Sequence, residues 1–398
     1  MLNGPFSPWP SYTEDESKAV SKVLLSNKSN YWTGIECREF EREFAEFANS
    51  KYAISVSNGT NALDLAFAAL GLEKNDEVIV TSRTFLASVS SIINAGATPV
   101  FADVSIDSQN ITFETILKVI SSKTKAIVCV HLAGWPCDME PIMNIAEEHN
   151  LVVIEDCAQA HGAKYKGRSV GSIGNIGAWS FCQDKIMTTG GEGGMVTTND
   201  HELWSRMWSY KDHGKSWEAV YEREHLSGFR WLHDSFGTNF RMTEMQAAIG
   251  RIQLTRMNDW SSKRRANANA IWTAARKLNG LRVPDLSCDN CQNNCSQQNG
   301  CSHAAYKCYV FVEGTKEDRD TIMASINEQG VPCFSGSCSE VYLEKAFEKT
   351  SFKPKERLPN AKFLGDTSLM FLCHPTLTEQ EVQKTCDVLT SVVGEYFR

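Results

Sequence analysis

Lys185 stands five residues after Ser180 and five before the run Gly190-Gly191-Glu192-Gly193-Gly194. Upstream, Glu155-Asp156-Cys157-Ala158-Gln159-Ala160-His161-Gly162 places Asp156 at the end of an apolar, strand-like stretch. A lysine among small residues and a strand-end carboxylate are what pyridoxal phosphate chemistry needs. The amine forms a Schiff base with the cofactor aldehyde, and the carboxylate keeps the pyridine nitrogen protonated so that the ring accepts electrons. The pairing predicts an enzyme.

Other residues fit the same cofactor. Ser57-Asn58-Gly59-Thr60 separates a strand from a helix. Alone it reads as an ordinary N-cap; beside Lys185 and Asp156 it becomes a phosphate cup, because free N–H groups at a helix start favour a phosphate. Phe85 is placed to cover one pyridine face, with Ala158 and Gln159 near the other, and Ser180 has a hydroxyl for the phosphate. The glycines at 190–194 do not have G-x-G-x-x-G spacing, which excludes a dinucleotide loop. In Gly237-Thr238-Asn239-Phe240-Arg241-Met242-Thr243, Thr243 and Gln246 make a capping box. Asn239 and Arg241 are left over as polar candidates for phosphate or substrate.

These residues need a frame that brings strand ends together. Tyr52–Ser57, Glu77–Thr81, Pro99–Val104, Ala126–Leu132 and Leu151–Asp156 read as strands. Asn61–Leu70, Leu86–Ala95, Thr115–Ile120 and Pro141–His149 read as the helices between them. That alternation predicts an α/β fold with a mainly parallel sheet flanked by helices, and ligands bind beyond the carboxyl ends of such strands. A helix-favouring stretch from Thr243 to Leu278 then leads into a smaller C-terminal α+β domain, with Asn279-Gly280 closing the helix. The expected division is 1–262, an N-terminal arm with the cofactor domain, and 263–398. The first forty residues are expected to pack as an arm against a partner or the small domain.

Composition narrows the class. A net charge of -8 over 398 residues, with no long basic block, argues against nucleic acid or membrane surfaces as partners. Met1 to Pro10 lacks a basic start and an apolar core, and no apolar run reaches spanning length, so a cytoplasmic location is expected. Several of the 14 cysteines, such as Cys129 and Cys157, sit singly in or beside apolar runs, as buried thiols do. Cys288, Cys291, Cys295 and Cys301, with His303 beyond, lie in a polar stretch near 288–303. Four thiolates suit a structural zinc, but only one C-x2-C knuckle is present, so a surface loop with free thiols is the favoured alternative.

Together these stretches resemble the DegT/DnrJ family of pyridoxal-phosphate nucleotide-sugar aminotransferases over nearly the whole chain. The resemblance runs from Gly34 and Phe40-Glu41 through Ser57–Thr60, Asp76-Glu77-Val78, Gly96–Val100 and Val130-His131-Leu132. It is strongest at Glu155–Gly162, Ser180–Gly194 and Asn239–Gly250. The Cys-rich stretch looks like an insertion relative to that family. The resemblance implies a fold-type I homodimer with active sites at the interface. It implies that Lys185 carries the cofactor and moves the proton, that Asp156 pairs with the pyridine nitrogen, and that Gln159 and Phe85 position the ring. Gly59, Thr60 and Ser180 would hold the phosphate, joined by Asn239 of the neighbouring subunit; His161 and Arg241 would lie toward the substrate.

Lysine at 185, where dehydrating relatives have histidine, points to transamination. The donor, expected to be L-glutamate, would leave its nitrogen as pyridoxamine phosphate, and a nucleotide-linked keto sugar would take it. A 4-keto-6-deoxy sugar for surface polysaccharide or glycan synthesis is the leading expectation. A 3-keto nucleotide sugar and a keto-cyclitol are alternatives, and a non-catalytic cofactor- or sugar-binding regulator is a further one. Phe240, where the family suggests tyrosine, and Cys182-Gln183-Asp184 before the lysine depart from the pattern and bear on the sugar.

Overall fold

The structure, a computed structural model, describes residues 5–286 and 300–398. The strands of the larger sheet are β1 (Tyr52–Val56), β2 (Glu77–Thr81), β3 (Thr98–Ala102), β4 (Thr124–Val130), β5 (Val152–Asp156), β8 (Ile176–Ser180) and β9 (Gly194–Thr198). A small hairpin, β6 (Lys164–Tyr165) and β7 (Arg168–Ser169), interrupts the series. The seven strands lie in the order β1-β9-β8-β5-β4-β2-β3. β3, β2, β4, β5 and β8 run parallel. β9 is antiparallel to both its neighbours, so β1 shares the direction of the parallel set. The reversal follows from the β8–β9 connection, residues 181–193, which contains no crossover helix. That connection carries Lys185.

Helices flank the sheet as the alternation predicts: α1 (Glu14–Leu25), α2 (Glu36–Ala48), α3 (Gly59–Leu70), α4 (Ala87–Asn94), α5 (Phe113–Leu117), α6 (Met139–Glu148), α7 (His201–Lys211), α8 (Trp217–Tyr221), α9 (Glu244–Thr255) and α10 (Met257–Ala275). Successive strand side chains point to opposite faces. Along β4, Ile127 and Cys129 join the core that includes Ile142 and Ile145 of α6. Val128 and Val130 join the other core, with Leu63, Ala66 and Phe67 of α3. Burial on both faces is why these strands read as apolar runs. Cys129 and Cys157 are fully buried, as expected.

The expected continuous helix from Thr243 to Leu278 is two helices. The capping box at Thr243 and Gln246 is present, but the chain bends at Arg256 (φ −92°, ψ −5°) and α10 ends at Ala275. The Arg256 guanidinium binds Glu16 at 2.7 Å and Thr13 at 2.8 Å. The bend lets α9 pack on α1 and α2 while α10 turns toward the second sheet. Residue preferences carry no signal of that tertiary demand.

The second sheet is antiparallel, in the order β10 (Leu281–Arg282), β11 (Cys308–Val312), β13 (Ser368–Phe371), β12 (Cys333–Phe334). α11 (Lys316–Glu328), α12 (Pro359–Thr367) and α13 (Glu379–Tyr396) pack with it. Met257 and Trp260 of α10 belong to the core of the first sheet, Ala268 and Ile271 to that of the second, so position 262 falls inside a helix shared by both. Of the first forty residues only the start reaches the second unit: Ser7 Oγ donates to Glu381 at 3.0 Å, and Trp9 meets Trp260 edge-on at 5.1 Å and stacks on His374 at 6.0 Å, whereas α1 packs on α9. Among the described residues no helix is long and apolar enough to cross a membrane. Cys288, Cys291 and Cys295 lie outside the described residues; Cys301 is buried, with its Sγ accepting from Lys166 N at 3.5 Å.

Candidate active site

The shared direction of β1, β2, β4, β5 and β8 brings Ser57, Arg83–Phe85, His131, Asp156 and Ser180 to one edge of the sheet. Asp156 is 6% exposed at the end of β5. Its Oδ2 accepts from Ser88 Oγ at 2.7 Å, Ser88 lies 2.8 Å from Thr84 Oγ1, and Oδ1 accepts from Ala158 N at 3.1 Å. The carboxylate is thereby aimed from two sides. Gln159 is held by Ala133 N, which donates to its Oε1 at 2.8 Å. Ala133 adopts a left-handed conformation (φ 55°) to do so.

Behind them Glu155 is fully buried and accepts four hydrogen bonds. The donors are His131 Nε2 (2.9 Å), Gly171 N (2.9 Å), Ile173 N (2.8 Å) and Gly174 N (2.6 Å). Burial raises its pKa, but the His131 bond and charge and the backbone donors outweigh that and hold it below the usual range. His131, Glu155 and Cys157 are close enough together to suggest a metal trio. The donors already on Glu155, and Cys137 N on His131 Nδ1 at 3.0 Å, mark a structural hub instead. The trio is empty.

At the start of α3 the Asn58 side chain caps Asn61 N at 2.8 Å. The first-turn N–H groups have no partner within the helix. A Cβ on Gly59 would sit 2.5 Å from Ser180 Cβ, and one on Gly194 would collide with the Asn58 carbonyl. Gly59 and Ser180 therefore meet, with Asn58 and Gly194 against them, in a close approach that only glycine allows, and Thr60 is exposed beside it.

Lys185 is 18% exposed, with Nζ 3.7 Å from Asp184 Oδ1 and 5.2 Å from the centre of the Tyr306 ring. Its backbone is pinned by Cys182 O (3.0 Å) and by Trp9 Nε1, which donates to Lys185 O at 2.8 Å. The Tyr306 hydroxyl donates to Asp184. Burial and then the Asp184 charge push that phenol well above its ordinary range, so it stays protonated. Thr84, Ser88, Ala133, Tyr306 and Trp9 escaped the sequence reading. Thr84 and Ser88, four residues apart across the start of α4, left a faint signal; Tyr306 and Trp9 left none.

The remaining candidates lie differently. Phe85 is 71% exposed. Asn239 is exposed beyond the end of β1, where Ser57 N donates to Phe240 O at 2.9 Å. Arg241 Nη1 is committed to the buried Asp212 at 2.7 Å. His161 is fully buried between the Trp179 and Phe181 rings, at 5.3 and 5.6 Å, and neither ring nitrogen has a hydrogen-bond partner among the described residues. Burial, then Lys185 and Arg264, push its pKa down to about 3. It is a neutral ring beneath the site.

The description of the DegT/DnrJ/EryC1/StrS aminotransferase family matches residues 10–390. The chain belongs to that family. An aminotransferase from Psychrobacter cryohalolentis of solved structure is 62% identical, covers 99% of this chain and 100% of its own, and superposes with a TM-score of 0.93. GDP-perosamine synthase of Escherichia coli O157:H7 is 45% identical over 264 residues, 65% of this chain and 68% of that one. The dTDP-3-amino-3,6-dideoxy-alpha-D-galactopyranose transaminase of Aneurinibacillus thermoaerophilus is 33% identical over 380 residues, 95% of each chain. The aminotransferase has the fold-type I α/β architecture, and pyridoxal phosphate is its cofactor. The site fits that group. The helix start at Gly59 offers N–H donors for a phosphate beside the Ser180 hydroxyl, and Asp156 is a buried, oriented acceptor suited to a ring N–H. Lys185 presents an amine with no close hydrogen bond among the described residues, Asp184 Oδ1 lying 3.7 Å away.

Proposed function

We propose that this aminotransferase moves an amino group from L-glutamate to the keto carbon of a nucleoside-diphosphate 4-keto-6-deoxy sugar, for a surface polysaccharide or glycan. What supports it is the convergence of Lys185, Asp156 and the Gly59–Ser180 contact on one sheet edge, in a chain similar to a GDP-perosamine synthase. When bound, pyridoxal phosphate supplies an electron sink for the carbon that loses or gains a proton. Lys185 would hold it covalently, and its Nζ would take and return that proton. Asp156, aimed by Ser88 and Ala158 N, would keep the ring nitrogen protonated. Gly59, Thr60 and Ser180 hold the phosphate, and Gln159 and Phe85 set the plane of the ring. Asn239 completes the phosphate site of the partner subunit in a cytoplasmic homodimer, consistent with the exposure of Asn239 and Phe85. Residues 1–262 form the cofactor domain and 263–398 the smaller one.

The visible spectrum before and after L-glutamate tests the donor half. The band of the lysine-linked cofactor should bleach, and Lys185→Ala should lack it. Wild-type protein that binds no pyridoxal phosphate ends this reading; one that binds it but ignores glutamate has another donor. A 3-keto nucleotide sugar is the second reading, because the Aneurinibacillus relative is named for a 3-amino product. Screening 4-keto and 3-keto nucleotide sugars against free keto-cyclitols decides among acceptors.

A further inference from the structure

Asp184 immediately precedes the reactive lysine, in the Cys182-Gln183-Asp184 run where this chain departs from its family's pattern. Among the described residues it is the one carboxylate paired with Lys185 Nζ, its Oδ1 lying 3.7 Å away. Its side chain is 60% exposed, and an open pair of that kind is by itself worth little. The difference here is Tyr306. That residue is buried just before β11, and its hydroxyl donates to Asp184 Oδ2. The carboxylate is therefore held in one orientation, with one oxygen on the buried phenol and the other toward the amine.

Two observations make this a place for a charged amine. The Tyr306 ring centre lies 5.2 Å from Nζ, within reach of a cation–π contact. Asp184 also stays ionised. Burial pushes its pKa up, but Lys185, then the Tyr306 bond and Lys307, outweigh that and hold it below the usual range. Lys307, 4.9 Å from the same ring centre, and the buried Arg264 oppose positive charge here, and Asp184 offsets them. The Lys185 backbone is already fixed by Cys182 O and by the Trp9 indole. The freedom that remains is in the flexible four-carbon stem.

We propose that Asp184, aimed by Tyr306, is a positioning residue that docks the Lys185 amine whenever it is not bonded to the cofactor, and steadies the proton it carries. The inference rests on Lys185 being the cofactor carrier and proton shuttle proposed above. When the C–H bond of the donor breaks, its electron pair passes to the cofactor ring and the proton forms a new N–H bond at Nζ. The amine is then an ammonium until it returns that proton. The ring and the carboxylate facing it both favour the charged form. Without Asp184 the stem is free and the charge has no partner, so the shuttle slows.

Limited acetylation of the full-length enzyme in its pyridoxamine phosphate form, read by peptide mass spectrometry, measures how firmly the Lys185 amine keeps its proton. Lys215, paired with Asp212 at 3.1 Å, is the internal reference. Asp184→Asn should acetylate Lys185 about two- to fivefold faster, the scale of a partly exposed ion pair, and Tyr306→Phe should do so to a smaller extent. Single turnovers with L-glutamate and its 2-deuterated form follow the shuttle itself. Asp184→Asn should lower the limiting rate and enlarge the isotope effect, with the half-saturating concentration of glutamate unchanged; Asp184→Glu should recover part of the rate. Lys185 acetylation unchanged relative to Lys215, or a wild-type isotope effect, in Asp184→Asn overturns the proposal. Weaker binding of cofactor or glutamate with no change in the isotope effect marks a merely structural role and overturns it too. If Asp184→Asn does not fold, unchanged Lys185 acetylation in Tyr306→Phe overturns it equally. Acetylation needs no donor, so it decides the matter even for an enzyme that ignores L-glutamate. Borohydride reduction and mass spectrometry separate this inference from the reading beneath it. Cofactor fixed to another lysine removes that reading; cofactor on Lys185, with acetylation independent of Asp184, removes only the dock.

Discussion

Replacing Glu155 with glutamine changes one oxygen into an NH2 group in a fully buried position, with no change in shape. Each carboxylate oxygen accepts two hydrogen bonds: Oε1 from Ile173 N and Gly174 N, Oε2 from His131 Nε2 and Gly171 N. Whichever oxygen is lost, two donors face a donor. His131 cannot relieve the conflict by switching tautomer, because its Nδ1 is needed by Cys137 N. Two buried donors without partners cost about 1–3 kcal/mol each, and the two surviving bonds lose their charge-assisted part. The expected loss for Glu155→Gln is therefore about 3–6 kcal/mol. The effect should reach the site, since Glu155 adjoins Asp156 and holds His131, whose N–H bonds Asp156 O at 3.2 Å. Urea denaturation followed by circular dichroism measures the stability, and hydrogen exchange at 170–175 reports the loop that Glu155 gathers. A midpoint shift worth less than about 1 kcal/mol, the net value of a single ordinary hydrogen bond, with unaltered exchange, refutes the hub.

Two further outcomes follow from the geometry. Gly59→Ala puts a methyl 2.5 Å from Ser180 Cβ, so it should loosen this close approach and weaken pyridoxal phosphate binding several-fold; equilibrium dialysis showing wild-type affinity counts against a phosphate at this helix start. His161 and His303 (each about 3) and His374 (about 4) are held neutral chiefly by burial. Below the unfolded value of about 6.5 the unfolded chain binds more protons than the native one, so stability should fall as pH drops from about 6.5 toward 3–4. His161→Phe should show a shallower fall of Tm with acidification; a slope identical to wild type would mean that His161 is not the withheld proton.

Much of the cofactor side was legible because it is written in local segments. Strand β5 ending at Asp156, the Asn58-capped start of α3 and the glycines flanking Lys185 each need only a short run of residues to specify them. The resemblance of those runs to one family extended the reading to the cofactor and the reaction class. The break at Arg256 was not legible, because its cause is a contact with Thr13 and Glu16, far away in sequence. Arg241 reads as a polar candidate in its own segment, but Asp212, 29 residues earlier, holds it.

By itself the sequence determined the α/β alternation, the strand-end positions of Asp156 and Ser180, and the lysine between them, since periodicity and glycine placement are local properties. Only the tertiary structure decided which groups aim and surround those residues: Ser88 on Asp156, Ala133 N on Gln159, Tyr306 and Trp9 beside Lys185. It also buried Arg264 with no carboxylate partner among the described residues. Hydrogen bonds and burial between segments from 26 to 176 residues apart depend on how two sheets and an N-terminal arm close on each other. No local pattern encodes that closure.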